Sequence, residues 1–333
     1  MPERRKVQVT GGSTFTVSIP KQWATTHGVD AGSEIEFFNE GESLSLTPAR
    51  TTETAEGSLS IDDLAGEELK RAVMTMYVSG FEVMELTATR ITSDQRRTIR
   101  EATQALVGLE VLEETGESIV IRDLLDSAEL SIHNAVTRMR LIALSMLADA
   151  VNGVVAGDHE MAADVIERDD DVDRLWMVVS RIFRATLRSP KAAEEVGLHR
   201  EACFDYQSAA RQLERVADHA TKIGHLTLQM ENPIPEDVQR ALTELHTASA
   251  EVIDLSMAAL FAEDSTEATK TGNRAREAVR QIDERARAID ALLRELDPSR
   301  AQLLGLVVDS VSRSADYGGN IAETALQKAA PTP

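Results

Sequence analysis

The sequence predicts a multidomain, mainly α-helical protein with a small β-rich unit at its N-terminus. Residues 5–50 alternate apolar and polar side chains around glycine-containing turns, which is the pattern of β-hairpins. From residue 123 onward, apolar residues recur at spacings of three and four, which is typical of helices packed in a bundle. A short segment of mixed α/β pattern, residues 61–122, separates these two regions.

The N-terminal unit, residues 1–50, is predicted to contain two hairpins and a short helix. Gly11 and Gly12 supply the first turn, Pro20 opens the helix, and Gly28 ends it. Basic residues are concentrated near its start, where Glu3 is the one acidic residue before position 28. The predicted strands are residues 6–10, 14–19, 35–38 and 44–47.

The order of these elements resembles the AbrB/SpoVT fold. The resemblance is carried by the glycine turn, by a strand ending in Ser18-Ile19-Pro20-Lys21, and by Gly28-Val29, Gly32 and Glu34. In that family two chains interlock their hairpins into one small β-barrel, and most members bind DNA. The resemblance therefore implies a homodimer or a larger assembly, with dimerisation alone as the alternative to DNA binding. The basic residues that we assign to DNA contact are Arg4, Arg5, Lys6 and Lys21.

Residues 51–60 are polar and lack periodicity, so they are predicted to form a linker. Residues 61–122 are predicted to form a small α/β domain that acts as a spacer or docking element, since we find no catalytic constellation in it. Its predicted helices are residues 67–79 and 93–106, and its predicted strands are residues 81–86, 110–113 and 118–121.

The rest of the chain is predicted to form two tandem three-helix bundles, residues 123–231 and 236–330. The proline-rich break at residues 232–235 divides them, and Pro298 suits the first turn of the last helix. The predicted helices are residues 123–151, 159–187, 201–230, 236–262, 265–296 and 298–328.

Two pairs of carboxylates lie on successive helices of the first bundle. Asp169 and Asp173 are four residues apart, and so are Glu214 and Asp218, which places each pair side by side on its helix. Carboxylates held this close repel one another unless protons or cations neutralise them. A single pair of this kind in an acidic protein is more often solvated surface, so the prediction of a metal site rests on the conjunction of both pairs.

The two helices that carry these pairs recur, altered, later in the chain. Residues 211–230 correspond to residues 309–327, and residues 167–175 correspond to residues 284–292. The sequence therefore contains an internal repeat of at least two helices.

The second copy lacks the first acid of each pair. Ala286 stands where the first copy has Asp169, and Ser312 stands where it has Glu214. Two or three carboxylates can hold a hydrated Mg²⁺ loosely, but they are few for a metal cluster. The residues of this weaker predicted site are Glu284, Asp290 and Asp316.

A D/ExxxD helix followed by an LERxxDHxxxI helix, present twice, resembles the PhoU family of phosphate-uptake regulators, which are built of two three-helix bundles. Family members bind multinuclear iron or zinc clusters through these carboxylates. The resemblance implies a cluster of iron or zinc, with Mg²⁺ as the alternative, in the first bundle only. Residues 80–86 and 106–115 resemble a segment of archaeal PhoU-like proteins. The implied ligands are Asp169, Asp173, Glu214 and Asp218.

Together the two resemblances imply a non-enzymatic, negative regulator of phosphate uptake. Its N-terminal unit would bind an operator of phosphate-uptake genes, and its helical body would contact the ATPase of the phosphate ABC transporter or another regulatory protein. The alternative is a cytoplasmic adaptor that inhibits the transporter by contact, with an N-terminal unit that only dimerises. A metal-dependent hydrolase is a third hypothesis, although no substrate pocket can be recognised in the sequence.

The composition and the missing motifs argue against several other classes of protein. A formal charge of -21, with arginine far more common than lysine and few aromatic residues, is typical of proteins from halophiles. The single cysteine, Cys203, excludes an internal disulfide, and the absence of ExxH motifs argues against a ferritin-like di-iron enzyme. We find no apolar stretch near the ~18 residues of a membrane span and no signal peptide, so we expect a cytoplasmic protein without membrane insertion.

Overall fold

The structure is a computed structural model that describes residues 3–40, 43–49, 54–124 and 131–331. The chain divides into two compact units, Met1–Glu53 and Thr54–Pro333. The first unit contains the two predicted hairpins, and the second contains the α/β segment and the helices.

The N-terminal unit consists of two antiparallel hairpins. Gly11 and Gly12 form the first turn with φ values of 65° and 85°, a left-handed backbone that favours glycine. The two hairpins form separate two-stranded sheets, and within the described residues of one chain they do not close into a barrel. The elements are β1 (Gln8–Thr10), β2 (Thr14–Thr16), α1 (Lys21–Thr26), β3 (Ile35–Glu40) and β4 (Ser43–Pro48).

Large apolar side chains on these hairpins are exposed. Their exposed fractions range from 53% for Val17 to 76% for Phe15. A two-stranded sheet with an uncovered apolar face is at best marginally stable in water, so this unit requires a cover. The exposed apolar residues are Val7, Val9, Phe15, Val17, Phe37 and Leu44.

The α/β segment forms one four-stranded sheet in the order β5-β6-β8-β7. Strands β5 and β6 run parallel and are joined through helix α2, while β8 pairs antiparallel with both β6 and β7. The elements are β5 (Glu56–Ser60), α2 (Gly66–Val78), β6 (Val83–Thr87), α3 (Ser93–Gln104), β7 (Leu109–Glu114) and β8 (Ser118–Asp123).

The prediction of a linker at residues 51–60 is wrong for its second half. Residues Glu56–Ser60 form β5, which pairs along its length with β6. Gly57 lies so close to the Phe81 ring that a Cβ atom there would come within 2.6 Å of it. Leu59 is the one large apolar residue of this strand, so the strand has little hydrophobic pattern of its own. Its formation therefore depends on pairing with β6.

The first bundle differs from its prediction at two helix boundaries. The helix predicted from residue 123 begins instead at Ile132, because Asp123 is the last residue of β8; residues 125–130 lie outside the described residues. The helix predicted over residues 159–187 is divided at Arg168, which pairs with Asp149 at 2.6 Å. The helices are α4 (Ile132–Ala156), α5 (His159–Glu167), α6 (Asp169–Arg188), the unpredicted α7 (Pro190–Val196) and α8 (Arg200–Thr227).

The helices of the second bundle agree closely with their prediction. Asp297 caps the last helix with its side chain, and Pro298 occupies the first turn, so this boundary falls where the sequence places it. The helices are α9 (Glu236–Phe261), α10 (Ser265–Leu293) and α11 (Pro298–Lys328).

The two bundles share one core, and repeat-equivalent helices α8 and α11 pack against each other. Gln212 accepts a hydrogen bond from Asn320, and ten residues along α8, Lys222 approaches Asp309. The helices are therefore antiparallel. Ala217, fully buried, lies midway between these contacts on α8, opposite its repeat equivalent Ala315. Small side chains at this point permit close approach of the two backbones.

Helix α4 corrects the expectation that no stretch is apolar enough for a membrane span. By length and composition Ile132–Ala156 could cross a membrane, with a hydropathy of 1.5 over its best window of 18 residues. In the structure α4 packs along α8, α6, α5 and α9, and its buried residues belong to the shared core. Packing within the bundle accounts for its apolar composition.

Arg181 of α6 joins the α/β segment to the first bundle. Its guanidinium forms an ion pair with Asp123 at 2.6 Å, and donates to the backbone oxygens of Tyr77 and Phe81. It also lies 4.8 Å from the centroid of the Tyr77 ring. The side chains of the pair are only 13% and 4% exposed, so solvent screens this contact little.

Replacing Arg181→Met should lower the free energy of unfolding by about 3–5 kcal/mol, because it breaks a buried ion pair with the Asp123 carboxylate. Urea denaturation measures this loss. The control is Arg97→Met, which breaks an exposed pair with Asp94 and should cost less than ~1 kcal/mol. If the two substitutions lowered the free energy of unfolding equally, Arg181 would not be the contact that joins the α/β segment to the first bundle.

Candidate metal centre on the first bundle

The structure brings together the four carboxylates predicted for the first site. Asp169 and Asp173 lie on α6, and Glu214 and Asp218 lie on α8, which packs against α6. The charge of Asp218 acts on each of the other three, which shows that they share one region between the two helices.

The break at Arg168 helps to position the α6 pair. Because α6 begins immediately after it, Asp169 and two further aspartates occupy the first helical turn. The positive end of the helix dipole favours carboxylates there. An uninterrupted helix would have placed Asp169 in a helix interior without this stabilisation.

Burial and mutual repulsion raise the pKa values of three carboxyls. Burial, followed by the charge of Asp218, raises the pKa of Glu214 to about 7. Burial, followed by the charges of Asp169 and Asp218, raises the pKa of Asp173 to about 6. Burial and Asp218 also raise the pKa of Asp169, although a hydrogen bond from Thr221 opposes this shift. The region disfavours accumulation of negative charge.

Only one of the two carboxylate oxygens of Glu214 has a hydrogen-bond partner within the described residues. Its Oε1 atom accepts a hydrogen bond of 2.6 Å from Arg211, whose guanidinium lies 5.4 Å from the centroid of the Trp176 ring. Its Oε2 atom is buried and has no hydrogen-bond partner, and the residue is 9% exposed. A buried carboxylate oxygen without a partner is costly, so a proton or a cation at this atom would stabilise the site.

The donor chemistry fits a metal ion, whereas the coordination is not preassembled. Carboxylate oxygens suit Mg²⁺ and also serve as ligands of zinc and iron. Among the residues that the structure describes, no group of three or more His, Cys, Asp or Glu side chains is already close enough to hold a metal ion. Binding would therefore require side-chain rearrangement within the cluster.

Sequence reasoning missed two neighbours of this cluster, Arg211 and Thr221. Arg211 precedes Glu214 by three residues, and Thr221 follows Asp218 by three, so helical spacing alone could have identified both. His225 lowers the pKa of Asp169 through its charge.

His219 follows Asp218 directly in α8, but its hydrogen-bond partner lies on another helix. Its Nε2 atom shares a hydrogen bond of 3.3 Å with the hydroxyl of Tyr317 on α11. Its Nδ1 atom is buried without a partner. His219 therefore belongs to the contact between the two bundles.

The second predicted site has a different arrangement from the one that the sequence spacing suggests. Burial raises the pKa of Asp316, and the α10 carboxylate that adds to this shift is Asp283. Asp290 lies seven residues, or about 10 Å, further along α10, and Glu284 is exposed.

Arginines already lie beside this second group. The guanidinium of Arg313 lies 3.5 Å from Asp316, and both Arg313 and Arg276 lower the pKa of that carboxyl. Two arginines therefore oppose the rise in the pKa of Asp316, as Arg211 and Arg215 do for Glu214 in the first cluster.

The predicted DNA-contact residues are all exposed in the N-terminal unit. Arg4, Arg5 and Lys6 precede β1, and Lys21 is the first residue of α1. Arg5 forms an ion pair with Glu3, which removes part of the positive charge of this segment.

Two protein-family models match the chain. The model described as PhoU domain matches residues 136–227, which extend from α4 to the end of α8 and include all four carboxylates of the first site. The chain contains a PhoU domain. The model described as "Antidote-toxin recognition MazE, bacterial antitoxin" matches residues 8–54. The PhoU and AbrB-like resemblances predicted from sequence are therefore confirmed.

Two solved structures are similar to this chain. PhoU from Pseudomonas aeruginosa matches with a TM-score of 0.50 and 19% identity, covering 59% of this chain and 93% of that one. The phosphate transport system regulatory protein PhoU from Streptococcus pneumoniae matches with a TM-score of 0.42 and 19% identity, covering 59% and 91%. A comparison with curated proteins gave no match. The first similarity shows that the PhoU domain lies within a fold shared with PhoU proteins.

In metal-free protein, Glu214 should make the free energy of unfolding decrease as the pH rises from about 4 to about 7. The folded state keeps the Glu214 proton to a pKa of about 7, above the ordinary value of 4.5, so it binds more protons than the unfolded state over this range. Glu214→Gln should remove this pH dependence. Between pH 4 and pH 8, the free energy of unfolding of the variant should rise by roughly 2–3 kcal/mol relative to that of the native protein.

Urea denaturation with a chelator present, repeated across this pH range, measures the difference. The matched control is Glu201→Gln, at an exposed position on the same helix. If the free energy of unfolding changes with pH in the same way for Glu214→Gln and for the native protein, the pKa of Glu214 is not raised.

Proposed function

We propose that this protein is a regulator of phosphate uptake that acts in the cytoplasm, with a metal-binding PhoU-like body and a dimeric N-terminal unit that binds DNA. The observation that carries this proposal is the PhoU match over α4–α8, on a chain whose second bundle repeats the same packing. Regulation is negative in sign. The carboxylate cluster serves metal binding in this proposal, and no catalytic step is assigned to it.

The state of the first carboxylate cluster supports a role in cation binding. Asp169, Asp173, Glu214 and Asp218 would hold iron or zinc, with Mg²⁺ as the alternative. A bound cation would supply positive charge where three pKa values are raised, and would give the buried Oε2 atom of Glu214 a partner. It would thereby hold α6 against α8 and fix the surface that these helices present to a protein partner.

Asp173→Asn and Glu214→Gln should each reduce the bound metal by at least about tenfold, because each removes an ionised oxygen ligand. Elemental analysis of protein equilibrated with iron, zinc or magnesium and then gel-filtered gives the stoichiometry. The matched control is Asp290→Asn on α10, which should leave it unchanged. Unchanged metal content in both site variants would refute the assignment.

The N-terminal unit supports DNA binding through its charge. Arg4, Arg5, Lys6 and Lys21 are exposed on a chain with a formal charge of -21, so they form a local basic region on an acidic protein. A dimer doubles the number of phosphate contacts available. The target would be an operator of phosphate-uptake genes, while the body would contact the transporter's ATPase or another regulatory protein.

Combined replacement of Arg4, Arg5 and Lys21 by Ala should abolish binding to the DNA upstream of the protein's own gene. Electrophoretic mobility shift in molar KCl, with unrelated DNA as competitor, measures specific binding. The native protein should bind and the variant should lose at least about tenfold in affinity, since phosphate contacts supply much of the binding free energy.

A second candidate follows from the exposed apolar face of the hairpins. Six large apolar side chains there need a cover irrespective of DNA, and a second copy of the unit would provide it. The N-terminal unit would then only dimerise a cytoplasmic adaptor that inhibits the transporter by contact. Stable dimers without specific DNA binding by the native protein would favour this candidate and contradict operator binding.

A further inference from the structure

A second feature of the α6–α8 surface lies away from the carboxylates. Phe183 on α6 lies beside Phe204 on α8, with ring centroids 6.2 Å apart, and Leu187 follows Phe183 by one helical turn on α6. Leu187 is 54% exposed and Phe204 is 52% exposed. These three residues form an uncovered apolar surface, which we call the Phe204 patch.

The Phe204 patch is separate from the carboxylate cluster. Asp173 and Leu187 are fourteen residues apart on α6, which corresponds to about 21 Å along the helix axis. The stacked pair of Trp176 and Arg211 lies between the two regions. The patch therefore requires an explanation other than metal binding.

Two arginines flank the patch. Arg184 and Arg188 follow Phe183 and Leu187 directly in α6, and both are exposed. Arg188 donates through Nε to the backbone oxygen of Arg184, and its guanidinium lies beside Gly80. Within the described ranges, neither arginine forms an ion pair with an acidic side chain. They are thus available to an external anion.

This local charge is opposite to that of the chain as a whole. Arg184 and Arg188 lie in a stretch, residues 181–191, that contains no acidic residue, on a protein with a formal charge of -21. An exposed apolar surface bordered by two exposed arginines is complementary to a partner that carries apolar and acidic side chains together. The shallow surface between two packed helices suits a third helix laid along it.

We propose that the Phe204 patch binds an acidic amphipathic helix of a partner protein. The apolar side of that helix covers Leu187 and Phe204, and its carboxylates pair with Arg184 and Arg188. This inference goes beyond the proposed function, because it depends on the surface of α6 and α8 and on neither phosphate, metal nor DNA.

Charge also discriminates between possible occupants. In a symmetric contact, a second copy of the chain would place the same two arginines opposite each other, so like charges would meet. An anionic membrane would lie against a wider part of a protein whose formal charge is -21, whereas a short helix with a few carboxylates contacts only the patch and its two arginines.

The test uses two fluorescent synthetic peptides that share one helical pattern of leucines. One peptide carries Glu beside the leucines, and the other carries Lys at the same positions. Fluorescence anisotropy gives the affinity of each peptide for the full chain. The acidic peptide should bind the native protein at least about tenfold more tightly than the basic one.

Two variants locate the binding site. Arg184→Glu combined with Arg188→Glu should reverse the preference in favour of the basic peptide, a gain that damage to the fold cannot produce. Leu187→Ser combined with Phe204→Ser should weaken both peptides by at least about tenfold. The matched controls are Arg97→Glu on α3 and Leu141→Ser on α4, where the leucine is 63% exposed, and both should bind as the native protein does.

Several results would overturn the proposal. These are equal affinity for the two peptides, an unchanged preference in the charge-reversed variant, or an equal loss in the controls. Vesicles of phosphatidylglycerol and phosphatidylcholine, and sedimentation of the chain alone, test the other occupants. Vesicle binding or self-association that both patch variants abolish, without preference for the acidic peptide, would assign the patch to a membrane or to a second copy instead.

Discussion

The packing of α6 against α8 is the constraint on which the candidate site depends. Four carboxylates converge where the two helices meet, and the bundle core keeps the helices together despite the repulsion. One arginine, Arg211, compensates one oxygen of Glu214, and the other oxygen remains buried without a partner. The core thus stabilises an arrangement that the carboxylates alone would oppose, and a proton or a cation relieves it.

The two copies of the internal repeat share their helix packing but differ in the charged residues that they carry. Helices α8 and α11 meet through equivalent positions, with Ala217 opposite Ala315 midway between the outer contacts. Yet Ser312 replaces the buried glutamate in the second copy, and Arg313 lies beside Asp316. The helical pairing can therefore be retained while one copy concentrates negative charge and the other neutralises it.

Helix periodicity and capping residues predicted most of the fold, because those signals are local. Asp297 and Pro298 define the start of α11, whereas β5 depends on pairing with β6, which no local pattern of its own reveals. The break at Arg168 was likewise hidden within a continuous apolar pattern. In the site, the four carboxylates predicted from spacing stay a prediction, and the spacing of the repeat did not point to Asp283, whose charge raises the pKa of Asp316.

The most direct test of this account is the titration of the Glu214 carboxyl by NMR. Protein labelled with ¹³C in its glutamate side chains, freed of metal, would give the pKa, and Glu214→Gln would identify the signal. The account predicts a pKa of about 7 that moves downward when iron or zinc is added. Titration near the ordinary value of 4.5 in the metal-free protein would contradict it, because burial and the neighbouring carboxylates would then not destabilise the ionised form of Glu214.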